Sequence, residues 1–188
     1  MRTNKLGHLI IAAVVSISAA AAVYAVLQRP AASTATVTTI SGQKIALDDL
    51  RGKIVLINFW ATSCGICMAE MPDLIATYRQ YQKQGFEVVG IAMSYDDLDK
   101  VRQYVAKQAL PFPVVFDKSG DLARDYGQVN ATPMTFVIDK SGQRVSKTIG
   151  IINFDKLRAF LDSALLPRNY SLTLVEGAKP SGYSSRPF

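Results

Sequence analysis

Cys64 and Cys67 are the only two cysteines of the 188-residue chain, and two residues separate them. They stand in the run Trp60-Ala-Thr-Ser-Cys64-Gly-Ile-Cys67-Met-Ala-Glu70-Met-Pro72, between an apolar stretch and a helical one. A cysteine at a helix N-terminus meets unpaired backbone N–H groups and the positive end of the helix dipole, which favour thiolate over thiol. The thiolate is the attacking species, so Cys64 is read as the nucleophile. Two intervening residues put Cys67 about one turn further on, in reach to close a small disulfide ring and to resolve a mixed disulfide. The chemistry expected is dithiol–disulfide exchange.

Three other uses of two cysteines compete. Zinc asks for four ligands, and the chain adds only His8, its single histidine, at the edge of an apolar segment. A two-thiolate Cu(I) site stays open on ligand type alone. An inert structural disulfide is the third, although so short a loop gains little chain entropy. The position of the pair at a strand-to-helix junction favours redox work. No cofactor and no metal is expected.

The elements that must hold the pair are legible. Ile54 to Trp60 is an apolar run of strand length, as are Glu87 to Met93 and Met134 to Ile138, which suggests strands covered on both faces. Between the first two, Cys64 to Lys83 repeats apolar residues at helical spacing (Met71, Leu74, Ile75, Tyr78), and Gly85 closes it. This is a βαβ unit, hence a parallel pair with a right-handed crossover. A second helix is expected over Asp97 to Ala109, packing Leu98, Val101, Val105 and Ala109. A short strand Val114 to Phe116 follows, then a short helix Asp121 to Tyr126. Asp139 to Gln143 reads as a turn into a strand Arg144 to Ile149. Asn153 is a candidate N-cap for a last helix carrying Leu157, Phe160, Leu161, Ala164 and Leu165, stopped by Pro167. The fold class is α/β: a mixed central sheet with helices on both faces. Pro72 is read as a helix kink, and Asp96, Asp97 and Asp99 as a charge cluster at a helix N-terminus.

Residues 1–8 carry Arg2 and Lys5, and residues 9–27 contain no charge. Nineteen residues would span roughly 28 Å as a helix, about the thickness of a bilayer's hydrocarbon core. The basic flank predicts a cytoplasmic N-terminus, with all that follows Arg29 outside and Tyr24 near the outer interface. A cleaved signal peptide is the rival, with Val23-Tyr24-Ala25 as a cleavage pattern. Both place the domain outside the cytoplasm. Residues 28–39 read as a tether with a first strand near Val37 to Ile40, residues 40–166 as the domain, and 167–188 as a loosely ordered tail with Leu172 to Val175 as a candidate edge strand. Of the formal net charge of +6, Arg2 and Lys5 carry two, leaving +4 and no basic run that would track a phosphate backbone. Nucleic-acid binding is not expected.

The run FWATSCGIC followed by EMP resembles the TlpA/ResA-like branch of the thioredoxin superfamily, over about Ile40 to Leu166. The likeness includes the helix-bearing insertion near Asp97 to Ala109 and the segment Tyr126-Gly-Gln-Val-Asn-Ala-Thr132-Pro133-Met-Thr-Phe. It implies a thioredoxin-like fold and a redox disulfide Cys64–Cys67. It also implies a cis Thr132–Pro133 bond beside the cysteines, where Gly65, Ile66, Thr132 and Pro133 would meet the substrate; Trp60 is read as core packed under the motif, with contact to the substrate as the alternative. Cytoplasmic thioredoxins carry a buried aspartate at the position of Asn58; the tethered branch places a carboxylate where Glu70 stands. Glu70 lies three residues after Cys67, on the same helical face. The expectation is a partly buried Glu70 with a raised pKa that exchanges the proton of Cys67 during resolution; an exposed glutamate of a first helical turn is the plain alternative. Ser63 and Ile66 depart from the aromatic and the proline that thioredoxin carries beside its first cysteine.

The resemblance further implies a membrane-tethered monomer facing the periplasm. It would reduce disulfides of partner proteins in cytochrome c maturation, apocytochrome c among them, or in oxidase metal-site assembly, with electrons from a transmembrane donor. A disulfide oxidase or isomerase, a Cu(I) carrier and a non-catalytic adaptor are the alternatives.

Overall fold

The computed structural model describes residues 4–27, 33 and 35–165, with the backbone alone at 4–6 and 22–27. In chain order the elements are α1 (Asn4–Leu27), β1 (Thr36–Thr38), β2 (Lys44–Ala46), β3 (Ile54–Trp60), α2 (Gly65–Tyr81), β4 (Phe86–Ala92), α3 (Leu98–Gln108), β5 (Val114–Phe116), α4 (Asp121–Asp125), β6 (Met134–Ile138), β7 (Arg144–Ile149) and α5 (Phe154–Leu165).

Every residue of β3 is buried, because β3 is the middle strand of a five-stranded sheet ordered β5-β4-β3-β6-β7. β4 lies parallel to β3 and β5 parallel to β4, while β6 and β7 run antiparallel. The alternation of a strand then sorts β3 onto two layers. Ile54, Leu56 and Trp60 join Met71, Leu74 and Tyr78 of α2, Val101 of α3 and Leu157 and Leu161 of α5. Val55, Ile57 and Phe59 join Leu122 and Ala123 of α4, Tyr126 and Phe136 on the other face. Asn58 belongs to the first set by register, so a polar side chain points into the helical layer under α2. The sheet is mixed and has helices on both faces.

β3, β5, β6 and β7 occupy the expected residues. β4 is displaced by one, to Phe86–Ala92, because Phe86 pairs with Ile54 and is 1% exposed. Ala109 is not on the packed face of α3: it adopts φ 47° past the helix end and is exposed, and Val101 alone is fully buried there. α2 runs unbroken through Pro72. Asn153 Oδ1 accepts from the Lys156 N–H at 2.9 Å, capping α5.

The β1–β2 hairpin was not foreseen beyond its first strand. Val37 is 6% exposed within the second core layer, so packing begins inside the segment read as a tether. The Ile40 N–H donates to the Val114 carbonyl at 2.8 Å, which fastens the hairpin to the outer edge of β5. Residues 28–32 of the expected tether, the tail from 166 onward and the side chain of Tyr24 lie outside the described residues. The backbone of α1 covers 24 residues. Its described side chains cover residues 7–21, about 22 Å of helix, and among the described residues no helix is long and apolar enough to cross a membrane.

Candidate active site

The parallel strands β3 and β4 end at the same rim of the sheet, where open α/β sheets place their sites. From that rim the chain turns through Ala61 to Ser63 into α2, and Cys64 is the N-cap. Cys64 and Cys67 form a disulfide with Cα atoms 5.2 Å apart. The Cys67 N–H donates to Cys64 Sγ at 3.2 Å, the orphan donor that a thiolate at this position would use. Cys67 is 0% exposed, whereas Cys64 is half-buried and flanked by exposed Ser63, Gly65 and Ile66. Only Cys64 can be met from solvent.

Met134 pairs with Phe59 in the antiparallel β3–β6 ladder. One step back along β6 sets Pro133 across from the end of β3, next to the turn that carries Cys64. The Thr132–Pro133 bond is cis and Pro133 is buried. The Gly150 N–H donates to the Pro133 carbonyl at 2.9 Å, and the hydroxyls of Thr132 and Tyr95 are 3.1 Å apart.

Glu70 is 4% exposed, one turn after Cys67 on the inward face of α2. Its Oε1 accepts from Asn58 Nδ2 at 3.3 Å, and its Oε2 accepts from the Ile152 N–H at 3.1 Å. Asn58 Nδ2 also donates to Thr135 Oγ1 at 3.0 Å. Burial pushes the Glu70 pKa above its ordinary 4.5, opposed by the Ile152 and Asn58 donors, which favour the carboxylate. The balance leaves a carboxyl held by neutral donors alone, with no cation bonded to it among the described residues. Such a group can take and return a proton near the buried sulfur of Cys67.

Of the two readings of Trp60, the structure favours core. Trp60 is 0% exposed, with its ring 5.5 Å from that of Tyr104, and so cannot meet a substrate. It is core beneath the motif. Asp96 departs from its reading. Asp97 is the N-cap of α3, accepting from the Asp99 and Lys100 N–H groups. Asp96 turns instead to the approach to Cys64, accepting from the Thr62 N–H at 2.5 Å and from the Thr62 hydroxyl at 2.6 Å. Thr135 and the Ile152 N–H, the other members of the Glu70 pocket, had no signal in the sequence beyond lying near strand and helix starts.

A half-exposed sulfur at a helix N-cap, a buried partner one turn on and a cis-proline across the rim are the geometry of a dithiol–disulfide exchange site of thioredoxin type. The chain belongs to the AhpC/TSA family, whose pattern matches residues 29–145. The thiol–disulfide oxidoreductase ResA of Bacillus anthracis is 39% identical over 126 residues, 66% of this chain and 71% of that protein. The ResA of Bacillus thuringiensis subsp. konkukian is 40% identical over 94 residues, 50% of this chain and 53% of its own, so this chain spans about half the length of that relative. Among solved structures, the thiol:disulfide interchange protein of Chlorobium tepidum TLS superposes with a TM-score of 0.67 at 28% identity, covering 73% of this chain and 97% of that one.

Proposed function

We propose that this protein reduces disulfides of partner proteins outside the cytoplasm, tethered to the membrane by α1. The observation that carries the reading is the unequal placing of the two sulfurs: Cys64 half-buried on a helix N-cap, Cys67 enclosed within a turn of a buried Glu70.

The reduced enzyme begins as Cys64 thiolate. Its sulfur attacks one sulfur of the partner's cystine; the S–S bond breaks and the second partner sulfur leaves as thiolate. Cys67 then gives its proton to the Glu70 carboxylate and attacks Cys64 Sγ, expelling the first partner sulfur, which the Glu70 proton can neutralise. Two electrons have passed to the partner, and the enzyme holds the Cys64–Cys67 disulfide seen here. A compartment that drifts toward oxidation requires a reductant to reopen it, and a transmembrane electron donor fits a tethered domain.

The resemblance to the TlpA/ResA-like branch supports haem-site cysteines of apocytochrome c, or cysteines of an oxidase metal site, as the substrates. The tether is supported by the uninterrupted helix over Asn4–Leu27 and by the exposed Leu9, Ile10, Ile11, Val14, Val15 and Ile17, apolar side chains suited to a lipid environment. Basic Arg2 and Lys5 favour a cytoplasmic N-terminus. Alkaline phosphatase fused after Leu165 should be active in cells; an inactive fusion would reverse the orientation.

The decisive experiment is trapping. Cys67→Ala removes the resolving sulfur, so Cys64 should retain its partner as a stable mixed disulfide that mass spectrometry identifies. If Cys67→Ala collects no more protein than Cys64→Ala, the reductase reading fails.

A further inference from the structure

The corner between β4 and α3 touches both loops that frame Cys64. Met93 closes it against β3, its N–H donating to the Trp60 carbonyl at 3.0 Å, and the Asp96 N–H returns to the Met93 carbonyl at 3.0 Å. That turn sends consecutive side chains to opposite loops. Asp96 holds the approach to Cys64 through both the N–H and the hydroxyl of Thr62. Tyr95, 58% exposed, reaches the Thr132 hydroxyl beside the cis-proline. The Cys64 N–H donates to the Ala61 carbonyl at 3.1 Å, so Thr62 sits inside the very turn that orients the nucleophile.

We propose that Tyr95 and Asp96 form a bracket that fixes the two loops around Cys64, making the β4–α3 corner a positioning device for thiol exchange with a polypeptide. This rests on the reductase reading for the nature of the substrate, and on geometry alone for the effect on Cys64. Asp96 governs the nucleophile. Two charge-assisted hydrogen bonds hold the Thr62 turn, and a buried or half-buried loop released from such partners samples other orientations. A displaced nucleophile loses rate with every disulfide, large or small. Tyr95 governs the far wall. Its hydroxyl sets where Thr132 stands, and a polypeptide lying across the rim meets that wall, whereas a small disulfide does not. The two residues should therefore separate in their effects.

The test uses the full chain, reduced, with a small aromatic disulfide and with a disulfide-bearing unfolded protein as two substrates. Asp96→Ala should slow exchange with both by about tenfold, the loss expected when roughly 1.4 kcal/mol of positioning is removed. Asp96→Asn should recover only part of the rate, since its amide oxygen still accepts from the Thr62 N–H while its NH2 would stand where Oδ1 accepts from both the Thr62 hydroxyl and the Asp97 N–H, and can meet only the hydroxyl. Thr62→Val removes the hydroxyl from the other side and should follow Asp96→Ala at smaller amplitude, which serves if Asp96→Ala does not fold. Tyr95→Phe should raise KM for the protein about fivefold, the size of one hydrogen bond, while slowing exchange with the small disulfide less than Asp96→Ala does. Unchanged small-disulfide rates in both Asp96→Ala and Thr62→Val, with only the melting temperature lowered, would make the corner mere scaffold and overturn the proposal. An unchanged protein KM in Tyr95→Phe would overturn its second half. Failure of the wild type to reduce the protein substrate at all would count against the reductase reading instead, leaving the small-disulfide arm to decide the role of Asp96.

Discussion

Asn58 Nδ2 lies 3.3 Å from Glu70 Oε1, joining the middle strand to the active-site helix through a hydrogen bond buried on both sides, with Asn58 1% and Glu70 4% exposed. The donor is neutral and the acceptor titrates, so one proton, and not a shared pair, is available under the dithiol. The strand supplies the donor and the helix supplies the acid.

Glu70→Gln should slow the step in which Cys67 displaces the partner, by about tenfold or more at pH 7, since a positioned proton acceptor contributes about a hundredfold or more in favourable cases. The deficit should shrink as pH approaches about 8.5, where a free thiol ionises without help. Stopped-flow decay of a preformed mixed disulfide across pH measures it. A deficit that stays constant with pH would remove the proton-exchange role.

The same substitution has a separate effect on folding. The Glu70 pKa is raised in the folded protein, so the folded state binds the proton more tightly than the unfolded state does. Stability is therefore lost as pH rises above the ordinary 4.5 toward the elevated folded value, and stays lower beyond it. Glu70→Gln has no such loss. In urea titrations of the oxidised protein, the variant should gain on wild type between acid and neutral pH; a variant that loses ground to wild type as pH rises would contradict the sign.

Asn58→Asp would set a second carboxyl at hydrogen-bond distance from Glu70. Two buried carboxylates cannot both ionise cheaply, so the pair should take up one proton and its members should titrate together. We expect a loss of about 2 to 4 kcal/mol at pH 8 that is largely recovered at pH 5. Denaturant midpoints at the two pH values give the result directly.

Gly90→Ala tests the packing of Trp60. A Cβ on Gly90 would lie 3.1 Å from Trp60 Nε1, 3.5 Å from Val114 and 3.6 Å from Phe112. The indole is fully enclosed and cannot retreat. The reduced freedom of the unfolded alanine chain returns about 0.4–1 kcal/mol, against about 1–3 kcal/mol for overpacking. A net loss of about 1 to 2 kcal/mol in chemical denaturation is expected, with thiol exchange unchanged.

Strong local patterns made most of the fold readable. The runs Ile54–Trp60 and Met134–Ile138 are apolar because both faces of the central strands are covered, and that cause is visible in the residues themselves. The CxxC at the strand-to-helix junction marked the site by type and spacing alone. What escaped was set by tertiary contact. β2 is three residues long and exists because β1 pairs with it. The pocket of Glu70 draws its donors from residues 12 and 82 positions away along the chain, and no local pattern announces such partners. Asp96 looked like one more acid before a helix, since nothing in its neighbourhood reveals that the turn aims it at Thr62. Trp60 adjoins the motif in sequence, yet β-strand alternation sends it into the helical layer and leaves the substrate reading without support.

The enclosure of Cys67 also bears on how the enzyme meets peroxide. An oxidant reaching the reduced protein finds Cys64 first and converts its thiolate to a sulfenic acid. Cys67, one turn inside, would attack that sulfur and expel water, closing the same disulfide ring in competition with further oxidation to sulfinic acid. In the proposed reductase cycle that disulfide is the state each turnover already produces, so the reductant that closes the cycle would repair the oxidation as well.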